Sequence, residues 1–120
     1  LQLAGVSEPG PQHTHNEDTC YPLTTQGKPD ADGLLPQLAV VCDGIGGHEG
    51  GEVASQLAVQ SLKLQIQALL TEAKTAPELL SPAIVAEQLE AVVRVINDLI
   101  ANQNNAQGRE ERRRMGTTLV

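Results

Sequence analysis

The stretch LAVVCDGIGGHEGGEVAS, residues 38–55, limits the fold more than any other part of the chain. An apolar run ends in Asp43, and five glycines (Gly44, Gly46, Gly47, Gly50, Gly51) follow within eight residues. Residues 38–42 are continuously apolar and partly β-branched, which reads as a strand buried on both faces. A helical pattern starts at Glu52, so a strand hands over to a helix through a turn nearly free of side chains. Such a turn ordinarily cradles phosphate on helix N–H groups. Asp43 would repel phosphate there, unless a cation lies between them.

The helical pattern runs from 52 to about 73, with Val53, Ala54, Leu57, Ala58, Leu62, Leu64 and Ile66 as a broad apolar stripe. Pro77 breaks it. Ser81 then reads as an N-cap, with Pro82 at the first helical position, where a missing N–H costs nothing. Val85, Leu89, Val92, Val93, Ile96, Leu99 and Ile100 continue at 3–4 spacing to about Asn102. Two helices of this length joined by a short break are expected to pack antiparallel. Ahead of the glycine turn, residues 1–7 and 16–24 are strand candidates, the second irregular at Pro22. Residues 102–114 read as a polar loop, and "GTTLV" (116–120) as a further strand. Strands and helices do not alternate one for one. The order predicts an α+β fold, with sheet layers and a helical layer packed on one face.

With one Tyr and no Phe or Trp, any core must be aliphatic. The formal charge of −7 leaves no basic face for a nucleic-acid backbone, so no nucleic-acid partner is expected. The one basic cluster, Arg109 and Arg112 to Arg114 interrupted by Glu110 and Glu111, reads as a solvated linker. No apolar run approaches the ~20 residues of a bilayer span, so no membrane partner is expected either. No targeting pattern is visible, and Cys20 and Cys42 are expected as reduced thiols in strands.

Asp43 at a strand end beside a glycine suits a hard cation, because Mg²⁺ and Mn²⁺ take oxygen ligands and Gly44 leaves its carbonyl unobstructed. The competing reading has Asp43 capping the loop through glycine N–H groups. Glu17 and Asp18, in HTHNEDT (13–19), would point to opposite faces of an extended chain, so they cannot be equal direct ligands of one ion. A solvated acidic turn is the alternative. His13, His15 and His48 invite a zinc reading, but neither histidines nor cysteines have metal-ligand spacing. His48 reads instead as a residue that fixes the glycine turn. No Lys follows the glycines as a phosphate-binding loop requires, and GIGGHEG has the wrong spacing for a dinucleotide fingerprint.

Together, NED (16–18), VCDGIGGHEGGEVAS (41–55) and MGTTLV (115–120) resemble, in order, motifs of the metal-dependent protein phosphatase family (PPM, type 2C serine/threonine phosphatases), and of its bacterial type in particular. The middle motif is long and specific. The resemblance spans essentially the whole chain but only about the first half of a family domain. It implies a layered α-β-β-α sandwich, here a partial domain of several strands and an antiparallel helix pair. Residues 1–120 are then the N-terminal part of one phosphatase domain, its C-terminal part absent. It also implies that Asp43 bridges two Mn²⁺ or Mg²⁺ ions, that Glu17 and the Gly44 carbonyl bind one of them, and that Asp18 acts mainly through metal-bound water. A metal-activated water would then attack phosphoserine or phosphothreonine directly.

Two departures from the family pattern stand out. His13 occupies the position where an Arg usually grips the substrate phosphate, and it lacks the bidentate fork of Arg. Weaker or more pH-dependent substrate binding follows from that exchange. Ile45 stands where some relatives carry a His, although bacterial-type members commonly have an apolar residue there. The later metal-binding aspartates of the family lie beyond "GTTLV", so this stretch alone is expected to be inactive. The resemblance further implies phosphorylated protein substrates, a cognate serine/threonine kinase and a cytoplasmic location. The competing function is a non-catalytic, phosphatase-like regulatory module, for which His13 is the main support.

Overall fold

The computed structural model describes residues 5–12, 14–21, 38–46 and 49–120, apart from the side chains of Glu49 and Arg112. Its elements are β1 (Thr19–Tyr21), β2 (Val40–Cys42), β3 (Gly44–Ile45), α1 (Glu49–Glu72), α2 (Pro82–Ala106) and β4 (Gly116–Thr117). Short 3-10 turns lie at Pro77–Leu80 and Glu111–Arg113. The architecture is α+β: small antiparallel sheets carry two long helices, in line with the layering that the type 2C resemblance implies.

β1 pairs antiparallel with β2, and β3 pairs antiparallel with β4. The two ladders are continuous through one segment. The amides of Val41 and Val120 each donate to the other's carbonyl, at 2.8 and 3.0 Å, and Thr118 N–H donates to the Asp43 carbonyl at 2.9 Å. Residues 40–45 therefore lie between β1 on one side and the 116–120 strand on the other.

The core is one face of this sheet against the helices. Tyr21, Val40 and Cys42 pack with Ala58, Val59, Leu62 and Ile66 of α1 and with Val92 and Ile96 of α2. Each fully buried aliphatic side chain here contributes about 1.5–3 kcal/mol. The helices are antiparallel, tied midway by Gln65 donating to Gln88 at 2.7 Å.

Several expectations are corrected. β2 is not buried on both faces: Val40 and Cys42 are buried, but Val41 between them is 54% exposed. Helices cover only one face, so period-2 alternation decides burial. α1 begins at Glu49 rather than Glu52, taking Gly50 and Gly51 into its first turn. α2 continues to Ala106, past Asn102. Leu64, Leu89, Val93 and Leu99 were placed on core stripes, yet all four are exposed. The contact line between two helices is narrower than the stripe that their sequences carry. Residues 5–7 form no strand, and the remaining residues of the first strand candidate lie outside the described ones.

Neither Cys20 nor Cys42 is bridged in a disulfide. The register pairs Thr19 with Cys42 and Cys20 with Val41, which sets the two thiols on opposite faces and forbids a disulfide between them. Burial pushes both thiols up, with a Thr117 hydrogen bond partly opposing this at Cys42. The thiolate is the reactive form. Thiol titration should therefore count two cysteines in the unfolded chain. In the folded chain Cys42 should label last, at a rate that rises with pH and reaches half its maximum above the pH of a free cysteine.

Candidate functional site

Alternation along 40–45 turns Val40, Cys42 and Gly44 toward the helices, and Val41, Asp43 and Ile45 away from them. At Gly44 the first turn of α1 comes down onto the strand. A Cβ on Gly44 would overlap the Gly51 carbonyl oxygen and lie 2.5 Å from the Glu17 carbonyl oxygen. A Cβ on Gly51 would overlap the Glu17 carboxylate and lie 2.8 Å from the Gly44 carbonyl carbon. Two glycines thus meet backbone to backbone, and Glu17 fills the remaining space. Its carboxylate lies against the first turn of α1, where the helix dipole favours negative charge.

Ser55 fixes Glu17 from the other side. Its hydroxyl is fully buried, donates to the Glu17 carbonyl at 2.7 Å and lies 2.8 Å from the Thr19 hydroxyl. Asn16 makes an Asx turn, its carboxamide accepting from Asp18 N–H at 3.1 Å, and its Nδ2 donates to Ser7 at 2.7 Å. Continuing the β1–β2 register by two residues sets Asp18 opposite Asp43 and Glu17 opposite Gly44. Asp18 and Asp43 are both exposed, on the face away from the helices.

The Asp43 backbone is held firmly. Its N–H donates to the Thr118 hydroxyl at 3.0 Å, and its carbonyl accepts from Thr118 N–H at 2.9 Å and from the Thr117 hydroxyl at 3.0 Å. Its carboxylate accepts no hydrogen bond among the described residues, so the loop-capping reading finds no bond there to support it. The carboxylates of Glu17 and Asp18 likewise accept none among the described residues. Among the described residues, three acids with hydrogen-bonded backbones thus keep carboxylate oxygens without a donor.

The structure therefore joins Glu17 to Gly44 and sets Asp18 beside Asp43, in two groups on either side of one strand end. Among the described residues, no three His, Cys, Asp or Glu side chains converge on one point. The donors, carboxylates and a glycine carbonyl, match a hard divalent cation in kind. His13, expected at the substrate phosphate, lies outside the described residues, as does His48; His15 is exposed. Sequence reasoning gave no role to Ser55, Gly51, Thr117 or Thr118. Ser55 could have been found: it sits on the apolar face of α1 beside Ala54 and Ala58, and a buried hydroxyl must find partners.

Comparison with known proteins gives this chain its family. A family model described as "Protein phosphatase 2C" matches residues 10–120, and the chain belongs to that family. Among curated proteins, it is similar to "Serine/threonine protein phosphatase PstP" of Mycobacterium tuberculosis, in strains CDC 1551 / Oshkosh and ATCC 25618 / H37Rv. Identity to each is 33% over 120 residues, covering 100% of this chain and 18% of the relative. The chain thus spans less than a fifth of those relatives' length. No solved structure matches it.

The Gly44 contact is backbone on backbone, so Gly44→Ala cannot be relieved by a rotamer change. It should cost about 2 kcal/mol or more of folding stability in urea unfolding. Ser55→Ala strips the Glu17 carbonyl of its donor and should cost about 1–3 kcal/mol. Equal midpoints for Gly44→Ala and the parent would contradict the packing described above.

Proposed function

We propose that these residues are the N-terminal part of a single type 2C domain, and that the whole protein is a metal-dependent serine/threonine phosphatase. The observation that carries this reading is the Glu17–Gly44–Gly51 contact. It brings an acid, a glycine carbonyl and a helix N-terminus together within a family-matched chain, with Asp18 and Asp43 at the same strand end. The name of the PstP relatives supports serine/threonine specificity.

Glu17, Asp18, Asp43 and the Gly44 carbonyl are the residues that would hold Mn²⁺ or Mg²⁺. When bound, the ions would lower the pKa of water and offset charge on the phosphoryl oxygens. The protein's own part is positional. Ser55 and Gly51 fix Glu17, and Thr117 and Thr118 fix the Asp43 backbone, so little motion remains for the donors to lose when they engage a ligand. Acidity is useful here, since it gathers the cations that a phosphate then meets. Phosphorylated proteins are the proposed substrates and a cognate serine/threonine kinase the proposed counterpart. Two unbridged thiols are in keeping with a cytoplasmic location.

The competing reading, a non-catalytic phosphatase-like module, draws on His13 in the usual Arg position. Turnover decides between them. With Mn²⁺, the whole protein should hydrolyse a phosphothreonine peptide. Chelation should stop this reversibly, and Asp43→Ala should lower kcat about a hundredfold or more. Saturable phosphopeptide binding without turnover would favour the regulatory module. Residues 1–120 alone should bind metal weakly and show little or no activity. Mn²⁺-dependent p-nitrophenyl phosphate turnover by those residues, abolished by Asp43→Ala, would show that the site is complete within them.

A further inference from the structure

The arginine-rich segment 109–114 is not the free linker that its composition suggests. Its far end is clamped to α2: Asn104, fully enclosed, donates through Nδ2 to the Met115 carbonyl and accepts from Met115 N–H through Oδ1, both at 2.9 Å. Its near end is seated on α1. Arg109 is half-buried, and a Cβ on Gly50 would lie 2.8 Å from its Nη1. Arg109 Nε donates to Gln107 at 2.6 Å and Nη1 to the Arg113 carbonyl at 3.3 Å, so the guanidinium braces the turn that presents Arg113. Arg114 Nη2 donates to Asn105 at 2.8 Å.

Among the described residues these cations are held without an acidic partner. The one ion pair among the described residues joins Arg94 to Glu90 at 3.0 Å, well along α2. Arg113 and Arg114 are exposed, and a hollow of about 530 Å³ is lined by Gln107, Gly108, Arg109, Glu110 and Arg113. Four of the chain's eight cationic residues fall within 109–114 against two acids, a local net of +2 in a chain of −7. Elsewhere the surface near the strand end is acidic, so the segment is an island of opposite sign.

Its placement gives the island a use. Gly116 lies opposite Ile45, and Thr118 N–H bonds to the Asp43 carbonyl. Arg114 therefore sits four residues along an extended strand from the level of Asp43, or about 13 Å at ~3.3 Å per residue. An extended peptide covers that distance in about four residues.

We propose that Arg109, Arg113 and Arg114 form a substrate-selecting arm beside the phosphatase site, favouring phosphopeptides with Asp or Glu three to four residues from the phosphorylated one. Arg113 and Arg114 meet the peptide carboxylates, and Arg109 is a positioning residue that holds their turn. The proposal rests on the phosphatase reading for the location of the phosphate. Recognition is electrostatic, so it sets preference more than raw affinity and weakens with salt.

The test measures binding and turnover separately, on the whole protein with Mn²⁺. Two fluorescent phosphothreonine peptides are compared, one with Glu at the third and fourth positions on either side and one with Ala there. Anisotropy should show tighter binding of the acidic peptide, with the advantage shrinking as salt rises. R113E/R114E should lower the ratio of the two affinities about tenfold, as expected for reversing two exposed charges. R113K/R114K should keep most of it and controls for misfolding. A ratio near one in the parent, or one unchanged by R113E/R114E, overturns the arm. An acidic preference lost in R113E/R114E, without hydrolysis of either peptide, keeps the arm and removes the phosphatase reading.

Discussion

The site depends on one contact in which two glycines touch. The first turn of α1 rests directly on β3, Gly51 on Gly44, with no side chain between them. That contact fixes where the helix starts and how close it comes to the sheet. It also leaves a slot of one shape, which Glu17 fills with its carbonyl against Gly44 and its carboxylate against Gly51. Any Cβ at either glycine would push the helix off the strand and the acid out of its slot. The missing side chains of Gly44 and Gly51 let a helix N-terminus, a strand and an acid share one space.

A second set of bonds holds the same strand end from its other edge. Thr117 and Thr118 bond both polar groups of the Asp43 backbone, while Asn104 replaces a missing ladder partner for Met115. The end of α2, the start of α1 and the 116–120 strand thus meet around one turn. Asp43 has its backbone immobilised by neighbours on both edges and its carboxylate left unengaged among the described residues. Folding energy is spent on holding the acid in place, not on neutralising it. A metal-binding role for Asp43, as proposed above, would require such a division.

Much of this was legible in the sequence, for identifiable reasons. The change from an apolar run to glycines to a 3.6-residue period marks a strand–turn–helix wherever it occurs, and it located β2 and the start of α1 to within three residues, while β3 lies in what reads as the glycine turn. Ser81–Pro82 gave the start of α2 because Pro at N1 has a local cause. What failed was non-local. Continuous apolarity at 38–42 does not reveal which layers are present to cover each face, and Val41 is covered by none among the described residues. Leu89, Val93 and Leu99 sit at helical spacing, yet Val92 and Ile96 are the apolar residues of α2 buried in the core, with Ile100 packed against it, because the partner helix offers a narrow line. Ser55 and Asn104 act through partners 38 and 11 residues away, which no local pattern encodes. The arginine segment reads as a linker for a similar reason: one of its anchors, Gly50, is 59 residues from Arg109, and the other, Asn104, acts through its side chain.

Alternation has one further consequence for the chemistry. The face of residues 40–45 that carries Asp43 also carries Val41 and Ile45, and the Val41–Val120 pair places a second exposed valine beside them. The acid thus stands between two exposed apolar side chains of its own strand. A layer that covered Val41, Ile45 and Val120 would exclude water from one side of Asp43 and lower the local dielectric. A carboxylate in such a place attracts a divalent cation more strongly than one in open water. The same layer would leave the far side of the strand end open toward Arg113 and Arg114. The two-residue period of one short strand thus sets Asp43, two valines and an isoleucine on one exposed face.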